Sequence, residues 1–166
     1  MLVLGRRFAV ASLLALMVAP AAAAQQQAGS SADMREISAY RLSMAGLGKL
    51  EKAVQKLEAL PQEALAEATA DDGADSNGQT LTEMAATIDR HPLIANALKG
   101  AGMSSREYSV ATMALLQAAT WAEMKKQGMA SQIPADVSAA NITFVEQHGA
   151  EIKALIDRMK KLSGDQ

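Results

Sequence analysis

Three observations predict an all-α fold: few aromatic residues, apolar residues recurring at three- and four-residue steps, and helix-start signals at Thr80 and Ser104. Aromatics make up 3% of the 166 residues. No run alternates apolar with polar residues amid β-branched or aromatic enrichment, which a half-buried strand requires. The length suits one domain. The prediction is a small helical bundle around a central helix at about 105–127, preceded by a signal peptide.

The chain opens "MLVLGRRFAVASLLALMVAPAAAAQQQ". Arg6 and Arg7 supply a positive start, 8–18 an apolar run, and Ala22, Ala23 and Ala24 a small-residue cleavage site, the three parts of an export signal. The competing reading is an uncut anchor. Residues 8–24 stand at the low edge of the roughly 17–25 that span a bilayer, and Pro20 interrupts them. The expected organisation is a signal peptide over 1–24, a flexible polar tether over 25–35, a helical domain over 36–162 and a frayed end over 163–166. This places the protein in the periplasm or outside the cell, with no membrane span once the leader is cut.

In "AYRLSMAGLGKLEKAVQKLEAL", Tyr40, Leu47, Leu50, Val54 and Leu57 mark one face of a helix. Gly46 and Gly48 either permit a close helix approach or mark the true start. Pro61 suits the first turn of a helix over "PQEALAEATA". "DDGADSNGQ" reads as a loop. Its Asp71, Asp72, Asp75 and Asn77 are oxygen donors, but an EF-hand needs glycine sixth and glutamate twelfth. Counting from Asp71, those places hold Ser76 and Thr82. Thr80-Leu81-Thr82-Glu83 forms a capping box for a short helix through Asp89. His91-Pro92 interrupts it, and "PLIANALKGAG" is a brief helix entered at Pro92 and left at Gly100. Ser104-Ser105-Arg106-Glu107 is a second capping box. Ser138 caps a last helix through Leu162, where Val145, Ile152, Leu155, Ile156, Met159 and Leu162 form an apolar stripe. Its basic final turn suits the negative end of a helix dipole.

Between Glu107 and Glu123 no residue is charged. From Tyr108 to Ala122 the clearly polar groups are Ser109, Thr112, Gln117 and Thr120, interspersed with five alanines. An unpaired buried charge costs several kcal/mol, so this neutrality predicts a helix enclosed on nearly all sides by the others.

The segments "GMSSREYSVATMALLQAA" and "NITFVEQHGAEIKAL" resemble a group of small exported, helix-rich bacterial proteins with no assigned activity. The resemblance covers roughly the second half of the chain. It implies an exported bacterial setting and carries over no catalytic residue.

The absence of cysteine excludes disulfides, thiolate metal sites, a cysteine nucleophile and lipid attachment at the cleavage site. There are 16 basic and 18 acidic side chains, and cleavage removes two of the basic ones. With no basic stripe, nucleic acid is not an expected partner. His91 precedes proline and reads as a cap or a solvated side chain. His148 lies near the apolar stripe and is the weak metal candidate, with Glu146, Glu151 or a methionine as co-ligand. No Glu-x-x-His or His-x-x-x-His pair supports it. Met44 and His148 are the obvious axial pair for haem, but an antiparallel arrangement of the first and last long helices would separate them. The methionines form no Met-x-x-Met cluster and read as core filler. Capping accounts for Ser104 and Ser105 near Tyr108, without a hydrolase motif. Asn141-Ile142-Thr143 matches a glycosylation triplet on a predicted helix. No cofactor is expected.

The leading expectation is an exported, non-enzymatic module binding a partner protein or a small apolar ligand. One alternative is a metal- or haem-binding or enzymatic bundle centred on His148. Another is a chaperone-like envelope or stress protein whose exposed methionines and leucines meet unfolded chains.

Overall fold

A computed structural model describes residues 31–71, 79–129 and 132–162. They fold as α-helices, with no strand among the described residues. The expected leader over 1–24, residues 25–30, the loop donors Asp72, Asp75 and Asn77, and the end over 163–166 lie outside the described residues.

The first helix, α1, covers 31–39, so 31–35 are helical and not part of a tether. Tertiary contacts explain the difference. Met34 and Ile37, one turn apart, pack against Leu81, Val110 and Ala114. Asp33 Oδ2 accepts a hydrogen bond from the Leu81 amide at 3.0 Å and so tends the start of a later helix.

Helix α2 runs Met44–Glu58 and buries Leu47, Leu50, Ala53, Val54 and Leu57. Ser43 caps it, accepting from the Gly46 amide at 3.1 Å, so Tyr40 precedes the helix instead of lying on it. Helix α3, Gln62–Asp71, follows Pro61, whose carbonyl accepts from the Ala64 and Leu65 amides. Helix α4, Leu81–Arg90, has both halves of its capping box, with Thr80 and Glu83 bonding reciprocally.

Helix α5 is Pro92–Gly100. It ends at Gly100, as expected, and the left-handed residue that closes it lies two positions on, at Gly102. Gly102 takes φ +82°, its amide donates to Lys99 O, and the Met103 amide donates to Leu98 O. Those paired bonds close a helix on a left-handed residue, where glycine has no Cβ to clash. Helix α6, Ser105–Lys126, ends the same way at Gly128.

Ser138 caps α7, Ala139–Gln147. The chain then breaks at His148 and resumes as α8, Gly149–Leu162. The expected single last helix is therefore two. Its halves serve different neighbours, since α7 packs chiefly on α6 and α8 chiefly on α2.

The main core joins α2, α5, α6, α7 and α8 through Leu50, Val54, Leu98, Leu115, Ile142, Ile152 and Leu155. Burying each such side chain contributes roughly 1.5–3 kcal/mol. Helix α6 faces this core with Ala111, Leu115 and Ala118, and faces the cluster of α1 and α4 with Val110 and Ala114. It touches α2, α4, α5 and α7. Its remaining side is open: Met113 is 39% and Leu116 37% exposed, and Thr120 is also exposed. Enclosure on nearly all sides is thus corrected to burial over one broad arc. The neutral sequence misled because its apolar residues continue onto the open side.

Candidate functional site

Helix α8 leans on α2 and α7 and not along α6. The divergence leaves a groove of about 920 Å³ between the C-terminal half of α6 and α8, with α7 closing one end. Its floor is Ala119 and Ala122 from α6, Val145 from α7, and Ile152 and Ile156 from α8. Short side chains on α6 keep the floor low, and of the two α8 isoleucines Ile152 is buried while Ile156 is half-buried. A second hollow of about 400 Å³ shares Ala119, Glu123, Ile156 and Lys160 and extends the surface to Leu116, Met124 and Met129. Met129 is 63% exposed.

The rim carries Lys125, Lys126, Lys153 and Lys160 against Glu123, Glu146 and Asp157. Lys125 Nζ lies 2.8 Å from Glu146 Oε1, and Lys153 Nζ lies 2.7 Å from Asp157 Oδ2. The Lys153 hydrogen bond holds the Asp157 carboxyl below its usual range. The Glu123 carboxylate accepts from Gln127 Nε2 at 2.8 Å. The groove rim is thus net basic on a chain that is net acidic.

His148 sits at the α7–α8 joint. Its amide donates to Phe144 O and its carbonyl accepts from the Ile152 amide, so its backbone serves both helices. The ring lies 4.6 Å from Phe144, and Nδ1 is 3.3 Å from Glu151 Oε2. The other expected co-ligand, Glu146, is held by Lys125. Among the described residues no three His, Cys, Asp or Glu side chains converge to hold a metal ion. Met44 is 50% exposed at the start of α2. Glu58, the last residue of α2, pairs with Arg158 near the end of α8, so the C-terminal ends of these two helices meet.

The His91 backbone joins α4 to α5, but its side chain makes no capping bond. Ser104 caps α6, accepting from the Glu107 amide at 3.0 Å, while the Glu107 carboxylate turns to Lys49 at 2.9 Å. Only half of the second capping box therefore forms. Ser105 is buried and donates to Asp89 of α4, so capping accounts for one of the two serines. Burial pushes the Tyr108 phenol up. Asn141 is 3% exposed with both ends of its amide engaged, which leaves it no access for a glycan.

Sequence reasoning missed the groove. Its available signal was the lysine pairs Lys125-Lys126 and Lys160-Lys161 closing two helices, which dipole complementarity alone also explains. Among the described residues no helix is long and apolar enough to cross a membrane. No protein-family model, curated protein or solved structure matches this chain.

Proposed function

We propose that the chain is an exported helical binding module, with 1–24 its cleaved leader and α6 the helix that organises it. In this reading the groove between α6 and α8 is where a partner protein or apolar ligand sits. The groove itself carries the reading: an apolar floor of alanine, valine and isoleucine under a lysine-rich rim suits holding a ligand. The resemblance of the second half to exported helix-rich proteins agrees with the setting. The alternative centred on His148 has weaker support, because Glu146 is committed to Lys125 and no three His, Cys, Asp or Glu side chains converge among the described residues.

Two measurements test the proposal. N-terminal sequencing of the exported protein is expected to begin at Gln25, and an uncut Met1 would contradict the leader. An environment-sensitive naphthalene dye is expected to bind the exported chain. Ala122→Trp, which fills the groove, is expected to weaken it by at least tenfold, about 1.4 kcal/mol. Ala140→Trp, at an exposed site on α7 outside the lining, is the control. Dye binding that ignores Ala122→Trp would place the site elsewhere.

A further inference from the structure

We infer that α1 is a hinged strap: latched by Glu36 to Arg106, it swings off as a unit and bares an apolar face of α4 and α6 while the main core stays folded. The inference is independent of what occupies the groove.

The apolar hold on α1 is small and separate. Ile37 is the one buried residue of the helix, with Met34 half-buried a turn before it. Both pack on Leu81 of α4 and on Val110 and Ala114 of α6. No residue of α1 belongs to the main core, which lies on the other side of α6. Loss of α1 therefore uncovers Leu81, Val110 and Ala114, each at most 4% exposed when it is in place, and leaves the larger cluster intact. Segments with few buried contacts are the ones that open locally, at a lower free energy than global unfolding.

The polar contacts of α1 can be exchanged for water. Glu36 accepts from Arg106 through both carboxylate oxygens, at 3.0 and 2.5 Å. These side chains are 40% and 43% exposed, so water and salt reach the latch. Arg106 also donates to Thr82 of α4 at 3.0 Å, and so keeps a partner when Glu36 leaves. Asp33 accepts from the amide of Leu81, a first-turn amide of α4 that has no partner within its own helix. Water can serve that amide once α1 is off.

The chain is pinned just beyond α1. Asn141 donates to Tyr40 O at 2.8 Å and accepts from the Leu42 amide at 3.0 Å. The pin makes the junction a hinge and keeps the motion of α1 from passing into α2.

The chain has no cysteine, so single thiols report the opening. Ala114→Cys lies under α1, whereas Ala111→Cys, on the same helix, lies in the main core. Each variant of the exported chain, residues 25–166, is labelled with iodoacetamide in rising urea below the unfolding transition. Position 114 is expected to label at least tenfold faster than position 111, and with a shallower urea dependence, because opening one helix exposes less surface than unfolding the molecule. Raising salt from about 0.05 to about 0.5 M is expected to speed labelling at 114 about threefold, and to have no effect once Arg106→Leu has removed the latch. Val110→Cys, also beneath α1, carries the test if Ala114→Cys misfolds. Equal rates at 111 and 114 with equal urea dependence would mean that α1 leaves only when the whole molecule unfolds, and would overturn the proposal. Labelling at 114 that ignores salt, or a salt response that survives Arg106→Leu, overturns the latch and the proposal with it.

Discussion

The Asn141 amide joins segments 99 and 101 residues apart, accepting from the Leu42 amide at 3.0 Å and donating to Tyr40 O at 2.8 Å. It thereby satisfies both main-chain groups where the chain turns from α1 into α2. Asn141→Ala leaves them short of partners in a partly buried place, where each lost bond costs about 1–3 kcal/mol. We expect a loss of about 2–3 kcal/mol, read from urea unfolding followed by Trp121 fluorescence. A loss below about 0.5 kcal/mol would mean that water replaces the amide. This contact was not legible in the sequence. Asn-Ile-Thr reads equally well as surface chemistry, and nothing in its spacing points back across the chain to Tyr40. The caps at Thr80, Ser104 and Ser138 were legible, because each acts on an amide three residues ahead; the cap at Ser43 was not, because the apolar spacing placed Tyr40 on the helix. The acidic partner of Ser104 was not, since Glu107 had a distant competitor in Lys49.

Each helix obeys its own periodicity, and the misreadings arise where two neighbours make different demands. The stripe from Val145 to Leu162 is continuous in sequence, yet α7 and α8 pack on different helices and the chain bends at His148. In α2, a methyl group added at Gly48 would meet nothing within 4 Å, so close helix approach does not explain that glycine. Gly48→Ala is expected to raise stability by up to about 1 kcal/mol through helix propensity, measured as a higher urea midpoint. A decrease would show a contact at that face. The ends of α2 and α8 are joined by Glu58 and Arg158, and the hydrogen bond from Arg158 holds the Glu58 carboxyl below its usual 4.5. A carboxyl depressed in the folded state contributes stability above its unfolded value, and that contribution is lost as pH falls through the folded one. In Arg158→Leu the stability drop between about pH 5 and pH 3 is therefore expected to shrink. Because the pair is well exposed, the change should be small. An unchanged acid limb would show that the pair contributes nothing in solution.

At the scale of the molecule, α6 separates two apolar clusters and presents a third, open side beside the groove. The all-α class was legible, because composition and periodicity alone decide it. The open side was not. A neutral sequence signals burial without saying how far around the helix the burial extends, and the residues that escape it, Met113 and Leu116, are apolar too. Leu115→Ala is expected to cost about 2–5 kcal/mol by opening a cavity in the core. Leu116→Ser, one residue on, is expected to stay within about 0.5 kcal/mol. Similar losses at both would contradict the arrangement.

The chain contains no cysteine, so thiols introduced one at a time along α6 report its faces without background. Native-state labelling rates for Ala111→Cys, Leu115→Cys, Leu116→Cys, Ala119→Cys and Ala122→Cys give the most direct reading. Fast labelling at 116, intermediate rates at 119 and 122, and protection at 111 and 115 are the expected pattern. Protection at all five would mean that the groove is covered in the free protein and that the open side does not exist.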